Sequence, residues 1–206
     1  MAITTYSELK TAVTNWLDRD DLTSRVDEFI DLAEARHARD LRFRLMVVRS
    51  TASTSTSSRF LALPTNYLQM MRLMLDTTPE TILKQVSPYE LTRRVENATG
   101  TPRFFAVHEE IEFDRTPDSA YTAEILFWQK FTALDDTNTS NDLLTNHPDV
   151  YLYSSLAAAA PFLHDDERLA IWEGLYQQAI SDIKSADKQD QYGLTPLWSQ
   201  PNGSTP

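Results

Sequence analysis

The hydrophobic period of this chain changes twice, and no other feature narrows its fold so far. Apolar residues recur every three or four positions at both ends of the sequence and at alternate positions through the middle, which calls for helices outside and strands between. Residues 5–17 put Tyr6, Leu9, Val13, Trp16 and Leu17 on one helical face, behind a capping box formed by Thr5 and Glu8. Residues 18–21 supply a turn. A longer helix follows, with Leu22, Val26, Phe29, Ile30, Ala33 and Leu41 as its apolar stripe. Its acids gather at the start and its arginines at the end, as the helix dipole favours. So short a connection predicts a helical hairpin.

From about Arg44 the period falls to two. Residues 45–48 read as a strand, and the Ser/Thr run over 50–58 as a mobile loop. Further strands are expected at 59–63, 67–75, 82–86, 104–107, 111–114 and 123–131, separated by Pro, Asn and Gly punctuation. Ser87 followed by Pro88 marks the start of a short helix, since Ser caps well and Pro is tolerated at the first helical position. Short strands in this rhythm predict an antiparallel sheet or small sandwich.

The helical period returns after the polar stretch 135–142. Pro148 opens a segment expected to reach Phe162 and to lie centrally, because the four alanines at 157–160 permit close approach of neighbours. A last helix over 166–187 buries Leu169, Trp172, Leu175, Tyr176, Ala179, Ile180 and Ile183. The predicted class is α+β: an antiparallel helical bundle from residues 1–43 and 143–190, an inserted antiparallel β-rich domain over 44–142, and an extended tail over 191–206.

Composition limits the chemistry. Four glycines in 206 residues leave no phosphate-cradling loop and no dinucleotide fingerprint. Cysteine is absent, which rules out disulfides and thiolate metal sites and fits a reducing compartment. The net charge of -11 disfavours non-specific adhesion to nucleic acid, which requires cations to neutralise phosphates. Neither a membrane-spanning run nor a secretion signal stands out, so the expected setting is a cytoplasm.

The candidate sites are modest. His37, His108, His147 and His164 sit in no nucleophile motif. Residues 164–167 resemble a capping turn more than a cation site. Glu110, Glu112 and Asp114, with Glu109 nearby, raise a carboxylate hydrolase, but alternation with Ile111 and Phe113 is the pattern of a half-exposed strand whose acids face water. Arg36, Arg39, Arg42, Arg44 and Arg49, with Arg93 and Arg94, form the one candidate nucleic-acid contact, against which local ion pairing or a charged subunit interface is weighed. In the tail, Leu194, Pro196, Leu197 and Trp198 lack a periodic element to pack them, which suits either disorder or an anchor for a groove on another chain.

Several separated segments together resemble the head-to-tail adaptor proteins of tailed bacteriophages, of the tail tubular protein A type. They are Phe60-Leu61-Ala62-Leu63-Pro64-Thr65-Asn66-Tyr67-Leu68, Gly100-Thr101-Pro102-Arg103-Phe104-Phe105-Ala106-Val107, Leu143-Leu144-Thr145-Asn146-His147-Pro148-Asp149-Val150-Tyr151-Leu152-Tyr153, and the stretch 157–168. None is an active site. The resemblance implies a non-enzymatic virion protein of the neck, assembled in the host cytoplasm. It implies a ring of self-associated copies, twelve by analogy, beneath the portal protein, bearing tail or nozzle proteins. It implies a channel through which DNA passes without specific recognition, and no cofactor, metal or membrane. Family members grip the portal through the C-terminal region, which would give residues 194–198 a partner. A DNA-binding accessory protein using the arginine cluster is the alternative.

Overall fold

The computed structural model of the chain describes residues 2–95, 98–163 and 167–192. It is a mixed α+β structure. Helix α1 spans Tyr6–Leu17 and opens with the expected reciprocal box, in which the Thr5 side chain accepts from the Glu8 N–H and the Glu8 carboxylate accepts from the Thr5 N–H. Asp18 ends it in the left-handed region, φ 54°, a conformation that Asp tolerates better than bulkier residues. The next apolar residues enter first a 3-10 turn, Asp20–Arg25, and only then helix α2, Val26–Asp40. Leu41, expected within that helix, is extended and buried.

A second 3-10 turn, Arg44–Met46, stands where a strand is expected to begin. Strand β1 runs Val47–Ser53 and takes in the first four residues of the Ser/Thr run read as a loop. The cause is tertiary: strand β8, Thr122–Gln129, supplies a seven-residue antiparallel partner in register from Val47 opposite Trp128 to Ser53 opposite Thr122. Ladder pairing there outweighs weak local propensity. Strands β2, Phe60–Ala62, and β3, Tyr67–Leu75, follow. The expected strand over 82–86 divides into β4, Thr81–Ile82, and β5, Lys84–Gln85. Leu83 sits buried at the corner between them, its N–H bonded to the Leu73 carbonyl while the Lys84 N–H reaches the Arg103 carbonyl of the other sheet. Helix α3, Pro88–Arg94, has Ser87 as its cap. Strands β6, Phe104–Val107, and β7, Glu110–Phe113, precede β8.

Two four-stranded sheets result, ordered β1-β8-β3-β4 and β2-β7-β6-β5. Every pair is antiparallel except β5 with β6, which run parallel, so the all-antiparallel expectation is corrected at that edge. Between the sheets Leu73, Leu75, Ile125 and Phe127 meet Phe105, Ile111 and Phe113 in one apolar cluster.

Helix α4, Asp142–Asn146, begins at the last residue of the polar stretch 135–142 and precedes the helix entry expected at Pro148; Asn141 caps it by accepting from the Leu144 N–H, and Leu143 and Leu144 are buried. Helix α5, Pro148–Ala158, stops before Phe162, and a 3-10 turn, Ala160–Phe162, completes the segment. Helix α6 is longer than its apolar stripe predicts, Arg168–Tyr192. Helix α5 packs against α1, α2, α4 and α6. Leu9, Val13, Phe29, Ile30, Tyr151, Leu156 and Tyr176, drawn from both ends of the sequence, share a second apolar cluster. Each such large side chain contributes about 1.5–3 kcal/mol on leaving water. Trp16 departs from its expected burial: it is 46% exposed and meets the Tyr153 ring edge-on at 6.0 Å.

Candidate assembly surface

The arginine cluster divides by role once the side chains are in place. Arg36 reaches across from α2 to α6, where Nη2 and Nη1 donate to the two carboxylate oxygens of Glu173 at 2.6 and 2.8 Å. Its Nε donates to Asp40, and the guanidinium lies 4.0 Å over the ring of Tyr176, whose hydroxyl donates to the same Asp40. The fork geometry suits carboxylate, and the face of the guanidinium suits an aromatic ring. These hydrogen bonds hold the Glu173 carboxyl at about 2, well below its ordinary range, and raise the Arg36 guanidinium further above neutrality. Arg42 closes α2 by donating to the carbonyls of Ala38 and Leu41. Arg44 pairs with Asp190 at 2.8 Å, while its backbone N–H donates to Asp187. Arg49 and Arg72 flank Glu124, and Arg94 pairs with Glu90 one turn back. Arg39 is exposed. A basic face for phosphates is thus largely converted into ties between elements.

The carboxylates of β7 also serve structure. Glu112 is paired with Arg59 at 2.9 Å and with His108 at 3.2 Å. Asp114, expected to face water, is instead 1% exposed, and this expectation is corrected: Oδ1 accepts from the Arg103 and Phe104 N–H groups while Oδ2 accepts from the Arg115 guanidinium. A buried carboxylate is retained where donors surround it, and these donors pin β6 beside β7. Glu110 is exposed. The three acids therefore do not converge on one cation position, and among the described residues no cluster of His and acids has metal-binding geometry. Of the turn 164–167, residues 164–166 lie outside the described residues, as do Leu194, Pro196, Leu197 and Trp198.

One histidine does meet a serine. His37 Nε2 is 2.8 Å from the Ser154 Oγ, and that hydroxyl is also 2.6 Å from the Val150 carbonyl. A carbonyl only accepts, so the serine proton points to Val150 and the imidazole donates to the serine. That polarity is the reverse of a base activating a nucleophile. Burial holds the imidazole neutral, with its pKa pushed down to about 3. Ser154 is 1% exposed, so the pair fastens α2 to α5 out of contact with solvent.

A polar knot invisible to periodicity joins the middle of the chain to its ends. The Glu34 carboxylate on α2 accepts from the Leu134 N–H at 2.8 Å and from the Tyr151 hydroxyl at 3.1 Å. Asn141 donates to the same hydroxyl and to the Thr132 carbonyl. Burial raises the Glu34 carboxyl above its usual range and raises the Tyr151 phenol above its own. The sequence offers one hint of this knot, an Asn at a helix-entry position; Glu34 reads as a surface charge.

Among the described residues, two of the hollows lie against helix α6. One, of about 440 Å³, is a largely apolar groove between α2, α5 and α6, lined by Leu32, Ala33, Ala157, Ala158, Leu169 and Ala170. Leu32 on it is 56% exposed. The other, of about 400 Å³, lies at the far end of α6 between Phe43, Leu45, His147, Ile183 and Ala186, with Asp187 and Asp190 at its rim. Leu45 there is 42% exposed.

The described residues thus hold internal ion pairs, buried polar ties and apolar hollows on the helical side. The SU10 adaptor protein family model matches residues 4–202, which is nearly the whole chain and includes both ends and the strands between. The chain belongs to the SU10 adaptor protein family. No curated protein matches it in sequence. Membership agrees with the resemblance to phage head-to-tail adaptors carried by the separated segments at 60–68, 100–107 and 143–153. Membership in an adaptor family points to a structural virion component and implies association with portal and tail proteins. Among the described residues no helix is long and apolar enough to cross a membrane.

Proposed function

We propose that this chain is the ring-forming adaptor between capsid and tail, seated beneath the portal and extending the DNA channel. The observation that carries this reading is the family match over residues 4–202. The helices from the two ends, which share one apolar cluster, would form an antiparallel bundle as the ring body. Residues 44–142 would project as an inserted module toward tail or nozzle proteins or toward the neighbouring copy. Closed rings arise when one surface patch repeatedly meets a different patch on the next copy. Twelve copies is the proposed number.

The portal and subunit contacts are proposed to use Leu194, Pro196, Leu197 and Trp198 together with Arg36 and Arg39 of α2 and Arg42 just beyond its end. Arg39 is the most open of the three arginines, since Arg36 and Arg42 are held by partners within the chain. The acidic balance of -11 suits a channel that lets DNA pass without adhesion or base recognition. Assembly in the host cytoplasm would bring subunit and portal together before the tail is added. Mixing the purified chain with portal and imaging the product tests the reading: the expected result is a ring of this chain at one end of the portal. Salt-dependent DNA binding by the free chain that disappears in the Arg39→Ala, Arg42→Ala double variant would favour the accessory-protein reading instead.

A further inference from the structure

We infer that the hollow formed by Phe43, Leu45, Ile183 and Ala186 is the receptor for the chain's own residues 194–198, so that the free subunit carries its Leu/Trp anchor folded back on the end of α6. The hollow is about 400 Å³, has an apolar floor, and keeps Leu45 42% exposed although Phe43 and Ile183 beside it are buried. Asn146 and the carboxylates of Asp187 and Asp190 stand at its rim. They are acceptors suited to an indole N–H, which only donates.

Reach selects the occupant. Helix α6 ends at Tyr192, and at ~1.5 Å rise per residue Ile183 lies roughly 13 Å back along its axis. Six residues from Tyr192 to Trp198 span at most ~20 Å when extended, so Leu194, Leu197 and Trp198 can all lie along the hollow. The alanine groove is centred near Ala170, roughly 33 Å from Tyr192 by the same rise, and lies beyond that span. The sequence after the helix is built for reversal: Gly193 stands where a left-handed residue ends a helix, Leu194 where an apolar residue turns back onto the last turn, and Pro196 where continuation of the helix is blocked. Residues 193–206 contain no charged side chain, so the tail enters beside Asp187 and Asp190 without like-charge repulsion. A tethered segment also meets its receptor at an effective concentration in the millimolar range, which favours it over a second copy in dilute solution.

Parking of this kind gives the tail two alternative partners, its own helix before assembly and another chain afterwards. It is a property of the single subunit and stands or falls without a portal.

The test uses tryptophan emission. Subtracting the spectrum of Trp198→Phe from that of the unmodified chain isolates Trp198 from Trp16, Trp128 and Trp172. Emission shifted to the blue of indole in water, at an unchanged position over a hundredfold dilution, is expected. Leu45→Glu, or Ala186→Glu on the facing wall should the first variant not fold, is expected to return it to the aqueous position, while Leu32→Glu in the alanine groove leaves it blue. Aqueous emission in the unmodified chain would overturn the inference, as would a blue shift lost on dilution or one abolished by Leu32→Glu but not by Leu45→Glu.

Discussion

Replacing Glu173 by glutamine tests whether the two ends of the chain are fastened by the Arg36 clamp. The substitution keeps size and one acceptor oxygen but removes the charge that receives both Arg36 bonds, at 2.6 and 2.8 Å. The carboxyl sits at about 2 instead of 4.5. At ~1.36 kcal/mol per tenfold change in proton affinity, that depression sets a ceiling of about 3.4 kcal/mol. The Glu173 side chain is 42% exposed, so water screens much of it. Partly exposed, bidentate pairs of this type contribute about 1–1.5 kcal/mol. For a chain of this length that corresponds to a fall in Tm of about 2–6 °C. The pH dependence has a definite sign. The folded carboxyl binds its proton more weakly than the unfolded one, so its contribution is complete above pH 4.5 and is lost as pH falls toward 2. Urea unfolding at pH 7, 4.5 and 3 is therefore expected to give a gap between the unmodified chain and Glu173→Gln that narrows with acidification. A gap constant across that range, or none at pH 7, would show that the Arg36–Glu173 pair does not fasten the two ends.

Four further outcomes are expected. Asp114→Asn leaves the Arg115 guanidinium and two backbone donors without their anion and should cost about 1–3 kcal/mol in urea unfolding, without loss of any divalent-dependent turnover. Thr5→Ala removes the cap of α1 and should cost about 1 kcal/mol, read as a lower urea midpoint at unchanged slope. Leu156→Ala, at a fully buried position on α5, should cost about 2–5 kcal/mol in the same assay. His37 is held neutral with its pKa down at about 3, so the chain should lose stability as pH falls below 6.5 toward 3; His37→Gln should flatten that part of the pH profile in thermal melts.

Much of this fold is legible in the order of residues because local signals and tertiary packing agree. The Thr5 and Glu8 box, the Ser87 and Pro88 helix entry, and the apolar faces of α2 and α6 specify the same elements locally and globally. The misreadings fall where a distant partner decides. Residues 50–53 look like loop until β8 pairs with them, and Leu83 divides one apparent strand between two sheets. Helix α4 is not separable from α5 in the sequence because its five residues are too few to establish a period. The candidate site divides in the same way. The arginines were recognisable as a cluster, but only the approach of α6 makes Arg36 a clamp. Asp114 sits at a strand end where alternation predicts exposure, and only the neighbouring backbone donors make its burial tolerable. Glu34 and Tyr151 are 117 positions apart, a separation that helical and strand periods do not connect.

Electron microscopy of the purified chain with and without portal is the direct test of the proposed ring at the portal. The expected images show an added annulus at one end of the portal, with twelve copies around the axis and a channel continuous with the portal's own. A chain that remains monomeric beside unaltered portal rings, at concentrations where tail assembly proceeds, would contradict it.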